Sequence, residues 1–121
     1  MVIDLERLDA GTLPSAIAIT AITLAELTAG PAATSDAVER AARQDRLQRT
    51  EATFDPLPFD ADAARAYGRV YGAVVGGGRK ARGARVADQL IAATAISAGL
   101  PLYTRNPRDF VGIPELTVVT V

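Results

Sequence analysis

The chain contains no histidine and no cysteine among its 121 residues. The absence of cysteine excludes disulfides, thiolate zinc sites and cysteine nucleophiles. The absence of histidine excludes a histidine general base, a Ser-His-Asp triad and metal sites with imidazole ligands. Any metal ion held by this chain must therefore have oxygen ligands, which favours Mg²⁺ or Mn²⁺.

The sequence also lacks a long apolar run and an excess of charge of either sign. No apolar segment approaches the ~20 residues of a membrane span, and the N-terminus does not have the basic and apolar stretches of a signal peptide. The 13 basic and 14 acidic residues give a net charge of −1, so a general attraction for nucleic acid is absent. We expect a single domain over residues 1–121 that is soluble, cytoplasmic and free of membrane contact.

Helical patterns alternate with short apolar segments along the chain. Capping signals predict three helix starts, at the capping box Thr23-Leu24-Ala25-Glu26, at Thr34 or Ser35, and at Asp60. An Ala-rich helix is predicted over 86–98, and short strands over 16–20, 102–103 and 116–121. This alternation predicts an α/β fold with a parallel sheet that helices flank on both faces.

Carboxylates are the main candidates for chemistry, because histidine and cysteine are absent. Glu26 follows a predicted strand, Asp88 lies near the start of the Ala-rich helix, and Asp109 follows another strand. Each also has a structural explanation. Glu26 can complete the capping box, Asp88 can interact with the helix dipole, and Asp109 can form an Asx turn. At the carboxyl edge of a parallel sheet the three would repel each other unless a divalent cation lay between them. Such a cation can activate water for phosphoryl chemistry.

A basic segment precedes Asp88 in the chain. Its charged residues are Arg79, Lys80, Arg82 and Arg85. They are candidates for contacts with nucleic-acid phosphates, although a run of this kind is also typical of a solvated loop.

Two stretches together resemble a known family. They are AITLAEL over 21–27 and VADQLIAATAISAGLPLYTRNPRDF over 86–110. Their sequences and separation are similar to those of PIN-domain ribonucleases, above all the VapC toxins of type II toxin–antitoxin systems. The resemblance covers residues 15–121 and implies a PIN-like α/β fold.

The resemblance implies a function and a set of site residues. Glu26, Asp88 and Asp109 match family carboxylates that bind Mg²⁺ or Mn²⁺ for the hydrolysis of RNA phosphodiester bonds. Asn106 and Thr104 match supporting positions just before Asp109, in the stretch over 86–110. The expected partners are a cognate VapB-type antitoxin, RNA and a second copy of the chain in a homodimer.

The N-terminus departs from the family pattern, in which a first strand ends in a ligand aspartate followed by Thr-Ser. Two alignments remain open. In one, residues 1–3 are a stub of this strand and Asp4 is the ligand. In the other, which we prefer, Val2-Ile3-Asp4-Leu5 belongs to the following helix and the ligand lies before Met1. Leu5 and Leu8, three residues apart, suit a helix, so the first strand is expected to be truncated or missing.

Two further functions stay open beside the metal-dependent ribonuclease toxin. A PIN-like module with impaired catalysis could bind an antitoxin or a partner subunit without cleaving RNA. A structure-specific DNA nuclease fits less well, because PIN nucleases of that kind are usually larger. Metal-dependent cleavage of single-stranded RNA separates the enzyme from the binding module.

Overall fold

The computed structural model of the chain describes residues 2–3, 18–77 and 85–120, with the backbone alone for residues 2, 3 and 85. In chain order, its strands and α-helices are β1 (Val2–Ile3), α1 (Ala21–Ala29), α2 (Ala37–Thr53), α3 (Ala61–Gly76), α4 (Arg85–Ser97), β2 (Leu102–Thr104) and β3 (Val118–Thr120). Two short 3₁₀ helices, Pro31–Ala33 and Pro107–Phe110, complete the described elements. None of the described helices has the length and apolar character needed to cross a membrane.

The three strands form a parallel sheet in the order β1-β2-β3. Within it, Val2 pairs with Leu102 and Ile3 with Tyr103. Our preferred interpretation, in which residues 2–5 belong to a helix, is therefore wrong, because Val2 and Ile3 are extended and paired with β2. The first strand is present over the described residues Val2–Ile3, and Asp4 lies outside the described residues.

Helix α1 begins earlier than the capping box predicts. Its N-cap is Thr20, whose Oγ1 accepts a hydrogen bond from the Thr23 N–H at 3.0 Å and donates one to Thr23 Oγ1 at 3.1 Å. Pairing with a distant segment sets this start: Leu57 N–H donates to the Ile19 carbonyl, and Ala21 N–H to the Leu57 carbonyl, both at 2.8 Å. Residue 20 is held extended by these bonds, so the helix can only begin after it. The prediction that Thr23 opens the helix is wrong.

Replacement of Thr20 by alanine should destabilise the protein by about 1–2 kcal/mol. The change removes the cap acceptor and leaves the buried Thr23 hydroxyl without this partner. The free energy of unfolding in urea measures the loss. Thr28→Ala is the matched control, because the exposed Thr28 Oγ1 donates only to the Ala25 carbonyl of its own helix. A loss for Thr20→Ala no larger than that for Thr28→Ala would contradict this role of the cap.

The next two helices begin with aspartate caps. Asp36 caps α2 by accepting a hydrogen bond from the Val38 N–H at 3.2 Å, so the predicted caps Thr34 and Ser35 are wrong. Thr34 Oγ1 instead accepts from the Asp36 N–H at 3.2 Å, which fixes the approach to the cap. The prediction for α3 is confirmed, since Asp60 accepts from the Ala63 N–H at 2.9 Å.

The core lies where α3 and α4 pack against each other and against the sheet. Its buried members from these elements are Ala66, Val70, Val74, Ile91, Ala92, Ala93, Ala95 and Leu102. The many alanines of α4 allow its backbone to approach α3 closely. Phe110 and Ile113, which follow β2 in the chain, close the same core. The segment after β2 is therefore anchored by burial.

An ion pair joins α3 to the segment before β3. Arg69 Nε donates to Glu115 Oε2 at 2.8 Å, and this hydrogen bond lowers the pKa of the Glu115 carboxyl below its ordinary value of 4.5. Because the folded-state pKa is the lower one, the pair stabilises the fold above the ordinary pKa of glutamate. That stabilisation is lost as the pH falls through the folded-state pKa. Both side chains are well exposed, so its contribution is small.

Arg69→Gln should return the pKa of Glu115 towards 4.5, because the charged donor that favours the carboxylate is removed. An NMR titration of the Glu115 side-chain carboxyl measures the change. Arg65→Gln serves as the control, since Arg65 pairs with Asp62. An unchanged Glu115 titration in Arg69→Gln would show that the pair does not persist in solution.

Candidate active site at the carboxyl edge of the sheet

The strand β2 delivers a buried threonine and a tight turn to the carboxyl edge of the sheet. Thr104, the last residue of β2, is fully buried, and its Oγ1 accepts a hydrogen bond from the Asn106 N–H at 3.0 Å. The Asn106 carbonyl in turn accepts from the Asp109 N–H at 3.1 Å. These bonds start the second 3₁₀ helix directly after the strand and place the half-buried Asp109 within it.

Asp88 reaches the same edge from α4. This helix leads into β2, so its C-terminal end lies near the start of the strand and its N-terminal end lies towards the carboxyl edge. Contact between α4 and the second 3₁₀ helix agrees with this direction. Asp88 is half-buried in the first turn of α4, where the helix dipole favours a negative charge.

Glu26 differs from its predicted position. Because α1 begins at Ala21, Glu26 lies in the second turn of the helix instead of the first, and it is exposed. Helix α1 contacts α4, so Glu26 and Asp88 belong to neighbouring elements.

The expected convergence of three carboxylates is incomplete. Among the described residues, no three aspartates or glutamates form a group that could hold a metal ion. Glu26, Asp88 and Asp109 by themselves therefore do not make the predicted site. The elements that carry Asp88 and Asp109 do pack together, and β1 lies beside β2 at the same edge.

The donor chemistry available at this edge fits a hard divalent cation. The chain offers only oxygen ligands there, since it has no histidine or cysteine, and Mg²⁺ and Mn²⁺ prefer oxygen. A buried carboxamide oxygen, Gln89 Oε1, also accepts no hydrogen bond from any residue that the structure describes. Gln89 follows Asp88 directly, and our sequence reasoning missed it because burial of a glutamine has no local signal.

The predicted RNA contacts fall almost entirely outside the described residues. Arg79, Lys80 and Arg82 lie in the undescribed range 78–84, and Arg85 is described only by its backbone, as the first residue of α4. The segment after β2 adds two exposed arginines that we did not predict, Arg105 and Arg108. Arg108 directly precedes Asp109 in the chain and Arg105 lies four residues before it, so both bring positive charge to the segment that carries Asp109.

Comparison with known proteins identifies the family. The PIN domain family model matches residues 3–116. Ribonuclease VapC5 of Mycobacterium tuberculosis is 36% identical over 115 residues, which cover 95% of this chain and 82% of that protein. Ribonuclease VapC of Rickettsia bellii is 34% identical over 103 residues, or 85% of this chain and 75% of that protein.

Solved structures give the same result. The crystal structure of VapBC-5, a toxin–antitoxin system from Mycobacterium tuberculosis, aligns with a TM-score of 0.82 and 32% identity, covering 99% of this chain and 97% of that one. VapBC2 from Rickettsia felis, bound to a promoter DNA fragment, aligns with a TM-score of 0.73 and 28% identity, covering 87% of this chain and 74% of that one. The resemblance carried by residues 21–27 and 86–110 is thus confirmed, and the chain belongs to the PIN-domain family, among the VapC ribonucleases.

Proposed function

We propose that the chain is a divalent-metal-dependent endoribonuclease that acts as the toxin of a VapBC system. The observation that carries this proposal is the packing of α4 against the second 3₁₀ helix, which brings the elements of Asp88 and Asp109 to one edge of the sheet. Family membership and the all-oxygen donor set support it.

The ligand that the described carboxylates lack is Asp4 in this proposal. Ile3 pairs with Tyr103 in β1 and β2, and Tyr103 is followed by Thr104 at the carboxyl end of β2. Asp4 follows Ile3 directly in the sequence, which supports its assignment as the missing ligand. Asp4, Asp88 and Asp109 would then hold Mg²⁺ or Mn²⁺, with Glu26 on the neighbouring helix α1 as a further carboxylate.

The bound cation supplies activation of a water molecule and neutralisation of charge on the phosphodiester. The residues of the chain position the ligands and the RNA for this chemistry. Thr104 and Asn106 fix the turn that carries Asp109, and the N-terminal end of α4 presents a positive dipole to a phosphate. Arg105 and Arg108, with the predicted contacts Arg79, Lys80, Arg82 and Arg85, hold the RNA backbone.

Cleavage of single-stranded RNA by the purified protein tests the proposal. Cleavage should occur with Mg²⁺ or Mn²⁺, stop on addition of EDTA and return when the metal is restored in excess. Binding of RNA without cleavage under all these conditions would favour the alternative, a catalytically impaired binding module. That alternative is favoured by the absence of Thr-Ser after Asp4, whereas the pairing of β1 with β2 supports the enzyme, because Asp4 follows this strand in the sequence.

A VapB-type antitoxin is the proposed partner. The solved structures that align with the chain include several described as VapBC systems. We further propose a homodimer, as the sequence resemblance implies. Co-expression with a VapB-type protein from the same organism should relieve growth arrest and yield a stable complex. Persistent arrest and separate elution of the two proteins would contradict that choice of partner.

Replacement of Arg79, Lys80, Arg82 and Arg85 by serine should weaken RNA binding and flatten its salt dependence. Each lost phosphate contact reduces the slope of log K against log salt by roughly 0.7 on single strands. Fluorescence anisotropy with labelled RNA at several salt concentrations measures the slope. Arg46→Ser and Arg49→Ser on α2 are the control variants. The same slope before and after the fourfold replacement would remove this segment from the RNA-binding surface.

A further inference from the structure

Gln89 is anomalous in the packing of α4. Its side chain is buried, with 4% of the residue exposed, yet its Oε1 has no hydrogen-bond donor among the described residues. Thr94, another buried polar residue of α4, satisfies its hydroxyl locally by donating to the Leu90 carbonyl at 2.8 Å. An unpartnered buried carbonyl oxygen destabilises a fold, and an apolar side chain of the same shape does not. Packing alone therefore does not explain a glutamine at this position.

The position of Gln89 points to the candidate site. Side chains of an α-helix lean towards its N-terminus, and Gln89 follows Asp88 directly near the N-terminal end of α4. That end of α4 lies at the carboxyl edge of the sheet, because α4 leads into β2 and contacts the second 3₁₀ helix. The unsatisfied oxygen and the proposed ligand thus belong to the same end of the same helix.

We propose that Gln89 is a positioning residue, whose Oε1 accepts a hydrogen bond from a water molecule in the hydration shell of the divalent cation at Asp88. This inference depends on the proposed function. Mg²⁺ dehydrates reluctantly and keeps several waters when proteins bind it. Those waters need acceptors, and a carboxamide oxygen provides one without adding a negative charge beside the carboxylates. The oxygen is therefore satisfied in the metal-bound protein.

Titration calorimetry with Mn²⁺, in the absence of RNA, tests this role in the full chain. Gln89→Met keeps the length of the side chain and removes the acceptor. We expect it to weaken Mn²⁺ binding 10–100-fold. The melting temperature of the metal-free protein should stay the same or rise, because an unpartnered polar group has been removed. Gln89→Leu is a second variant with the same expectation, in case methionine perturbs the packing.

Thr94→Val is the matched control, because it removes another buried polar group of α4, the Thr94 hydroxyl. The Mn²⁺ affinity of this variant should equal that of the wild type. Wild-type Mn²⁺ affinity in folded Gln89→Met or Gln89→Leu would overturn the proposal, as would an equal loss in Thr94→Val. Asp88→Asn separates this inference from the proposed function. If the wild type binds Mn²⁺, Asp88→Asn does not and Gln89→Met does, the role of Gln89 alone is rejected. Absence of Mn²⁺ binding by the wild type rejects the metal centre as well.

Discussion

Asp88→Asn should reduce metal-dependent RNA cleavage by about 10³-fold or more while leaving the protein folded. The substitution keeps the size of the side chain and removes the negative charge that binds the cation. Loss of a ligand in a metal nuclease costs several kcal/mol of transition-state stabilisation, and about 4 kcal/mol corresponds to 10³-fold in rate. Growth inhibition on expression should be lost as well.

The effect of the same change on stability should be small. Asp88 occupies the first turn of α4, so the helix dipole loses about 0.3–1 kcal/mol of favourable interaction. Asp62→Asn is the matched control, because Asp62 occupies the first turn of α3 and lies outside the proposed site. Single-turnover cleavage and thermal unfolding of both variants separate the two effects. Full activity in Asp88→Asn, or an equal loss in Asp62→Asn, would contradict the role of Asp88 as a ligand.

Phe110→Ala should produce the largest loss of stability. Phe110 is 2% exposed and belongs to the core cluster. Truncation of a buried phenylalanine costs about 3–5 kcal/mol, a large part of the 5–15 kcal/mol typical of small domains. The melting temperature should fall by on the order of 10–20 °C. Because Phe110 anchors the 3₁₀ helix that carries Asp109, Mn²⁺ binding at low temperature should weaken too.

Val111→Ala is the control for this substitution. Val111 is the next residue in the chain but is 60% exposed, so its truncation should change stability by no more than about 0.5 kcal/mol. Unfolding in urea and Mn²⁺ titration below the melting transition measure both variants. If Phe110→Ala lost stability but bound Mn²⁺ as the wild type does, the anchoring of Asp109 through Phe110 would be wrong.

Sequence signals predicted the ends of helices correctly where the residues that determine an end lie within one helical turn of it. Asp60 caps α3 as predicted, and α4 ends near Gly99, whose φ of 68° lies in the left-handed region that glycine adopts readily. Asp36 was missed because three consecutive residues can all serve as caps. The cap in the structure is the third of them, Asp36, whose backbone N–H donates a hydrogen bond to Thr34 Oγ1.

Pairing between distant segments explains the larger errors. Thr20 and Thr23 look equally suitable as caps, and the bonds of Ile19 and Ala21 to Leu57 decide between them. Residues 2–3 look too short for a strand, and β2, a hundred residues later, supplies the pairing that makes them one. No periodicity within residues 1–8 contains that information.

The candidate site was predictable in its chemistry and less so in its geometry. The absence of histidine and cysteine pointed to carboxylates and an oxygen-ligated cation, and the motif around Asp88 and Asp109 pointed to the family. The shift of Glu26 into the second turn of α1 follows from the early start of that helix. The burial of Gln89 depends on how α4 packs, so only the folded chain shows it.

Anomalous scattering from crystals of the protein soaked in Mn²⁺ tests the central claim most directly. We expect a manganese peak at the carboxyl edge of the sheet, bound by carboxylate oxygens of Asp4, Asp88 and Asp109, and absent from crystals of Asp88→Asn. Oxygen ligands of Mg²⁺ in proteins lie at about 2.0–2.1 Å, and Mg²⁺ should compete for the same position. A peak away from Asp88 and Asp109, or none at saturating Mn²⁺, would contradict a metal-dependent ribonuclease centre at this edge.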